Sequence, residues 1–380
     1  MDASVSDPSF ADRLAALREQ TARVDPAIAS LRYLVVGGTG FVGQYLVEEL
    51  LARGAAEVRI LCRTRPDDDD ARDARITYAI GSVTDGAVVA EACEGIDAVF
   101  HTAANYGTPN FGRYGDGKAV YATNVGGVQN VIAACENKGV KTLIYTSSVN
   151  VVFDGRPSVE VDEDAPYAEP SRVDHYSRSK CLAEQKVLAA SSDSLTTCAL
   201  RPNGIYGPRE DFITQKVLGL VRWMRGLPFA LDRAQRTDWT FVYNLVWAHL
   251  LCMATPPEQV RAKAFFITDG EAVHTMDGFM DAFLAPLGFR VRRIVPVPSF
   301  LMTLGCTLSE WLCHVLSPIV RIAPAFTRAE AQKAVATNTH SIERARAVLG
   351  YEPLISTSEG LRYMSEELVA RRALRARRSS

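Results

Sequence analysis

Tyr33-Leu-Val-Val36 runs directly into Gly37-Gly-Thr-Gly-Phe-Val-Gly43, and Gln44 to Arg53 follows. The four apolar residues read as a buried strand. The glycines permit a tight turn and a close approach of the backbone to a ligand. Gln44 to Arg53 reads as a helix, stopped by Gly54. Strand, glycine turn and helix in this order offer unpaired N–H groups and a positive dipole end to an anion, the arrangement that cradles a dinucleotide pyrophosphate. Gly37, Gly40 and Gly43 form the expected triplet, with Phe41 and Val42 opening the helix beside it; Gly38 permits a second register.

Outward from this junction the pattern repeats. Glu57–Cys62, Ile76–Ile80, Ala98–His101, Thr142–Thr146 and Thr196–Leu200 read as further strands. Helical stretches lie through Val88 and Cys93, from Asn124 to Asn137, and from the Tyr176 region to about Ala190. Strands alternating with helices predict an α/β fold with a doubly wound parallel sheet. Trp239–Val242 and Ala264–Thr268 read as strands returning to that sheet. The expected organisation is an N-terminal extension (1–30) and a dinucleotide-binding domain (31–205 plus about 236–270). A smaller substrate lobe (about 206–235 and 271–365) and a basic tail (366–380) complete it. Within the extension, residues 9 to 24 read as an amphipathic helix with Ser9 as N-cap. Asp67 to Asp70 reads as a solvated loop.

An NAD site usually places an acid at the end of the second strand, on the ribose 2′-hydroxyl. This chain has Cys62-Arg63 there, with Arg65 nearby and no acid before Asp67. A guanidinium suits a 2′-phosphate, so the cofactor is expected to be NADP or NAD, with NADP favoured by Arg63.

Tyr176-Ser-Arg-Ser-Lys180 puts a phenol and an amine on one helix face, one turn apart. An ammonium there lowers the phenol pKa from about 10, making a proton shuttle for an alcohol or carbonyl while a nicotinamide handles the hydride. Tyr145-Thr-Ser-Ser148 ends the fifth strand, where doubly wound sheets bind ligands. Ser148 is the candidate holder of the reacting oxygen, with Ser147 as the fallback.

The glycine turn, His101-Thr-Ala-Ala104, Tyr145–Ser148, Tyr176-x3-Lys180 and Leu200-Arg-Pro-Asn-Gly-Ile-Tyr-Gly-Pro208 together resemble the extended short-chain dehydrogenases/reductases, a Rossmann-fold group. Trp239–Leu251, Ala264–Asp269 and Ala347–Pro353 narrow the resemblance to the 3β-hydroxysteroid dehydrogenase/isomerase family. Asp174–Lys180 with Ala183–Leu188 resembles its sterol-4α-carboxylate 3-dehydrogenase and 42E-type branch. The resemblance covers roughly residues 31 to 365. It implies oxidation of a sterol 3β-hydroxyl, with loss of CO2 where a 4α-carboxylate is present. It implies that Tyr176 is the acid/base, that Lys180 tunes it and holds the nicotinamide ribose, and that Ser148 binds the substrate oxygen. Ala103 and Pro202 would line the cofactor, and Tyr176 would contact it together with Lys180. Asn124 would order a water or cap its helix, capping being favoured, and His175 is read as a surface neighbour. Two departures stand out: the missing acid at Cys62, and Ser82 where relatives often carry an aspartate facing the adenine.

Composition bounds the rest. With 380 residues, 47% hydrophobic, 23% charged and a net charge of -2, the chain reads as globular, and nothing points to nucleic acid as a partner. Eight cysteines without a CxxC pair read as buried reduced thiols, and no metal site is expected. The acidic N-terminus reads as neither signal peptide nor presequence. Residues 298 to 325 are apolar but interrupted by Glu310, His314, Pro318 and Arg321. Leu301, Leu304, Leu308, Trp311, Leu312 and Val315 fall at helical spacing there, as a core helix, a substrate lid or a helix lying in a membrane interface. Arg371 to Arg378 is a solvated end or a second membrane contact. The expected location is cytoplasmic, with the cytosolic face of the endoplasmic reticulum left open, and a homodimer is among the expected assemblies. Two rivals remain: a reductase or epimerase of this fold on a non-steroid substrate, and a nucleotide-binding protein without turnover.

Overall fold

The computed structural model describes residues 8–66, 73–106, 117–211, 214, 235–274, 279, 281–288, 299–316, 327–328, 331–332 and 336–378. In chain order the strands are β1 (Arg32–Val36), β2 (Glu57–Cys62), β3 (Ile76–Ile80), β4 (Ala98–His101), β5 (Thr142–Thr146), β6 (Ser158–Val161) and β7 (Thr196–Pro202). They continue as β8 (Ile205–Tyr206), β9 (Arg236–Asp238), β10 (Thr240–Phe241), β11 (Lys263–Ile267), β12 (Ala272–His274) and β13 (Asn338–His340). The main sheet has the order β11-β7-β5-β4-β1-β2-β3, parallel at every pairing. This is the expected doubly wound sheet, and the chain direction across it reverses at β1. β1 has β2 on one side and β4 on the other, so a crevice opens at the carboxyl ends of β1 and β4.

Both faces of the sheet are covered, which is why its strands are apolar runs rather than alternating ones. Tyr33, Val35, Ile60, Phe100, Ile144, Leu200 and Phe265 face one way, packed with helices Phe41–Ala52 and Val242–Ala254. Leu34, Val36, Leu61, Val99 and Leu143 face the other, against helices Gly86–Ala92 and Gly127–Lys138. Helix Val242–Ala254 is buried on every side from Val242 to Cys252; it is mostly apolar, and its Asn244 and His249 side chains are hydrogen-bonded.

Three sequence expectations change here. Ala264–Ile267 does return to the main sheet, pairing with β7, but Trp239–Val242 does not. Its Thr240 and Phe241 pair with β8 in a two-stranded sheet, and Val242 already begins a helix. The cause is Asp269, whose Oδ1 accepts from the Phe241 N–H at 2.7 Å and from Asn244 Nδ2 at 2.7 Å, capping that helix from another strand end. A four-stranded sheet, β12-β9-β13-β6, joins segments from both halves of the chain. Second, the chain through Arg378 continues the helix that starts at Thr357, with no break at 366. Third, residues 8–30 pack into the body. Ser9 caps helix Phe10–Gln20 as expected. Leu17, Val24 and Ile28 are buried, and Arg18 pairs with Glu49 at 2.7 Å. The Asp67–Asp70 loop lies outside the described residues. None of the eight cysteines is in a disulfide, and all but Cys306 are buried.

Candidate active site

The glycine turn sits at the carboxyl end of β1. Gly37 has φ +87°, and its N–H donates to Leu61 O at 3.1 Å. A Cβ at Gly37 would lie 2.9 Å from Ala103 N, and one at Gly43 would lie 2.2 Å from Gly37 O. Both glycines are therefore fixed by close backbone approach, the first against β4 and the second against the turn itself. Helix Phe41–Ala52 starts after Gly40 without a side-chain cap, so its first N–H groups, on Phe41, Val42 and Gly43, have no intrahelical acceptor. Ala103 N donates to Val36 O at 2.9 Å, which holds Ala103 beside the turn. Pro202 ends β7, buried and in register with Ile267. Arg63 is exposed just beyond β2, and the Arg65 guanidinium lies 5.4 Å from the centre of the Tyr78 ring. Ser82 spends its hydroxyl locally, on Thr84 Oγ1 at 2.8 Å and Thr84 N at 3.2 Å. The residues present fit a dinucleotide: the turn is cleared of side chains where a pyrophosphate would approach, and a helix N-terminus faces the same turn.

The second half of the site is helix His175–Ala189. Asp174 caps it, accepting from Ser177 N at 2.7 Å. Lys180 is 2% exposed. Its Nζ donates to Thr146 O at 2.6 Å and lies 4.3 Å from the centre of the Tyr145 ring. The half-buried Tyr176 stacks on Tyr106 at 4.8 Å with a 26° tilt. Burial, then the neighbouring Tyr106, Tyr145 and Asp174 oxygens, push the Tyr176 phenol well above 10. The expectation that Lys180 lowers this pKa is thus corrected for the protein alone. Burial itself drives Lys180 down to about 7, with Glu184 opposing, and its ammonium is directed at Thr146 and Tyr145. Ser148 follows β5 and is 9% exposed, its Oγ accepting from Asn150 N at 3.3 Å. Ser147 is deeper, at 3%, with no hydrogen-bond partner for Oγ among the described residues. β4, β5 and the Tyr176 helix thus bring Ser148, Lys180 and Tyr176 to the same carboxyl edge as the glycine turn.

Asn124 does not cap a helix. It lies within a π-helical turn, Ala122–Gly126. Its Oδ1 accepts from Asn105 N at 2.7 Å, and its Nδ2 donates to Asn105 O and to Ser179 Oγ, both at 2.9 Å. The extra residue in the π turn swings the amide inward, where it ties the loop after β4 to the catalytic-candidate helix. His175 is held at the start of that helix by Tyr121, with Nδ1 3.3 Å from the hydroxyl. Two groups assigned no role from sequence sit close to Lys180. His101 is buried, stacked on Tyr145 at 5.5 Å, and held at about 3 by burial and then by Lys180. Glu184 is fully buried and bound to Arg201 and Tyr167. The signal for Glu184 was present in sequence: Tyr176, Lys180 and Glu184 follow i, i+4, i+8.

Helix Ser299–Leu316 forms as the spacing predicted, but it is not a core helix. Phe300, Leu301, Leu304, Leu308, Trp311, Leu312 and Val315 are 47–67% exposed, while Glu310 is buried. A cavity of about 480 Å³ lies along it, lined by Phe300, Thr303, Leu304 and Thr307 against Gly155 and Pro157. Among the described residues no helix is long and apolar enough to cross a membrane. Residues 317–325 lie outside the described set.

Comparison with known proteins agrees with this geometry. The family model of the 3-beta hydroxysteroid dehydrogenase/isomerase family matches residues 34–299. The chain is 30% identical over 374 residues to the human sterol-4-alpha-carboxylate 3-dehydrogenase, decarboxylating, covering 95% of this chain and 96% of the relative. It is 32% identical over 346 residues to the 2-alkyl-3-oxoalkanoate reductase of Stenotrophomonas maltophilia, covering 90% of this chain and all of that protein. Among solved structures, the epimerase Mth375 of Methanothermobacter thermautotrophicus superposes with a TM-score of 0.72 at 21% identity, over 93% of this chain and 97% of the other. That likeness speaks for the fold.

Proposed function

The chain belongs to the 3-beta hydroxysteroid dehydrogenase/isomerase family, and from that premise we propose that it oxidises a sterol 3β-hydroxyl to a 3-ketone with release of CO2 from a 4α-carboxylate. It is an oxidoreductase acting on CH–OH groups with a nicotinamide dinucleotide. The observation that carries the substrate reading is near-full-length similarity to decarboxylating sterol dehydrogenases, combined with Ser148, Tyr176 and Lys180 at the carboxyl edge of the sheet.

The bound dinucleotide supplies the hydride acceptor. Gly37, Gly40, Phe41, Val42, Gly43, Ala103, Pro202 and Lys180 are the residues proposed to hold it. Ser148 holds the reacting oxygen, and Tyr176 takes the hydroxyl proton as the C3 hydride leaves. Tyr176 in the protein alone is held as the phenol, the form that serves reduction; oxidation needs the phenolate, which the Lys180 cation stabilises. A 3-keto 4-carboxylate is a β-keto acid: its C–C bond breaks with the electron pair passing into the enol of the ketone, so no further catalytic side chain is required. The cavity beside Phe300 and Leu304 is the proposed apolar slot. The exposed apolar face of that helix is proposed to rest on a membrane interface, and Arg63 is proposed to favour NADP.

The reductase from Stenotrophomonas, similar at the same level, supports a second reading. An alkyl-substituted 3-oxo acid shares the β-keto acid core with a 4-carboxy-3-ketosterol, so the same residues would serve an acyclic substrate. Absorbance at 340 nm separates these readings. 3β-hydroxysterols with and without a 4-carboxylate are offered in the oxidation direction, and 2-alkyl-3-oxo acids in the reduction direction, each with NAD and NADP cofactors. Turnover confined to the oxo acids overturns the sterol reading, and a higher kcat/KM with NAD overturns the NADP preference.

A further inference from the structure

We propose that Tyr106 is a positioning residue of the reaction: its ring, fixed through Asn105 by the π-turn amide of Asn124, braces the ring of Tyr176. This builds on the reading of Tyr176 as the acid/base. The two rings are stacked, with 4.8 Å between their centres and a 26° tilt. Asn124 is buried, and Ser179 is wholly so. Asn124 Oδ1 accepts from Asn105 N at 2.7 Å, and its Nδ2 donates to Asn105 O at 2.9 Å. Both bonds are to backbone, so they fix the path of the chain immediately before Tyr106. The same Nδ2 donates to Ser179 Oγ at 2.9 Å, and that hydroxyl donates to Tyr176 O at 2.7 Å. One buried amide thus anchors the chain on both sides of the stack, in the loop after β4 and in helix His175–Ala189.

Tyr106 is 61% exposed, so the core does not need an aromatic ring there. Tyr176 does need one beside it. An acid/base must keep its oxygen within hydrogen-bond reach of the reacting group, held to about 0.5 Å by neighbours that lock its rotamer. Tyr176 is itself only half-buried. A second ring in an offset stack attracts it, blocks its rotation and keeps water off one face. Other titratable or charged groups reach the Tyr176 phenol from β5, as Tyr145, and from its own helix, as Asp174 at the cap and Lys180 one turn on. Tyr145 and Lys180 are buried, and Asp174 caps the helix. Tyr106 is therefore the neighbour whose ring can be removed without opening the core or uncapping the helix.

Two measurements test this. In the holoenzyme, with the substrate that turns over at 340 nm, Tyr106→Ala is expected to lower kcat about tenfold. The KM values for substrate and dinucleotide are expected to stay within about twofold. Tyr106→Phe, which keeps the stack, is expected to restore most of kcat. NMR of protein labelled at tyrosine Cζ, with Tyr176→Phe to assign the signal, follows the phenol without turnover. At about pH 10, the ordinary phenol value, Tyr176 is expected to stay protonated in wild type and in Tyr106→Phe. Tyr106→Ala admits water, which favours the phenolate, so its Tyr176 signal is expected to titrate at lower pH. Should Tyr106→Ala fail to fold, Tyr106→Leu keeps bulk without an aromatic ring and is expected to change both readouts in the same direction. An unchanged kcat in a folded variant without the ring overturns the proposal, as does a loss confined to KM. A fall in kcat with the Tyr176 titration unmoved overturns it too, because Tyr106 would then act on another group. Failure of the underlying reading is distinct: it appears as retained turnover in Tyr176→Phe.

Discussion

Helices His175–Ala189 and Ser299–Leu316 invert each other. The first carries Ser177, Ser179, Lys180 and Glu184 into the interior. The second leaves Leu301, Leu304, Leu308, Trp311 and Leu312 about half exposed and buries Glu310. By hydropathy alone the second belongs in the core and the first at the surface. In the first helix each buried charge has a fixed partner: Thr146 for Lys180 and Arg201 for Glu184. Burial there is tolerated because the polar groups are satisfied, and it serves to shift the pKa of the buried groups. In the second, an apolar stripe of this size without cover marks a surface for something else. Buried polarity and exposed apolarity point to chemistry on one helix and to contact on the other.

Substitutions can break this contrast at several strengths. Tyr176→Phe is expected to lower turnover at least ~100-fold while nucleotide binding, followed by calorimetry, stays as in wild type; near-normal turnover would remove the first helix from the chemistry. Asn124→Ala strips partners from both Asn105 backbone groups and from Ser179. It should cost about 1–3 kcal/mol, read as a fall in denaturant midpoint, and an unchanged midpoint would show that the π turn is incidental. On the second helix, Leu304→Ser with Trp311→Ser should weaken sedimentation with phospholipid vesicles roughly tenfold while the unfolding midpoint holds. Loss of fold stability instead would mean that the stripe is covered within the protein. The smallest effect is expected at exposed Arg63: Arg63→Ala should lower the kcat/KM for NADP about threefold and leave NAD unaffected, and an equal loss with both cofactors would remove its selective role.

Most of the main sheet was legible because parallel strands buried on both faces are short apolar runs with helices between them. The glycine turn was legible because Gly37 and Gly43 admit no Cβ. Trp239–Val242 was misread because its periodicity is that of a strand, while Asp269, some 30 residues on, caps a helix out of it. Asn124 was misread because a π turn leaves no periodic mark. His101 was visible as a residue but not as a neighbour of Tyr145 and Lys180, and the spacing of Glu184 from Lys180 did not show its pairing with Arg201.

The sequence by itself determined the doubly wound sheet, the nucleotide turn and the Tyr176–Lys180 spacing, since each depends on contacts within a strand, a turn or one helical face. Tertiary structure alone decided the protonation of those side chains and the exposure of the Leu304 stripe. Charge state depends on burial and on partners from distant segments: Tyr106 on Tyr176, Thr146 under Lys180, Arg201 against Glu184. No spacing along the chain encodes the dielectric that those partners create.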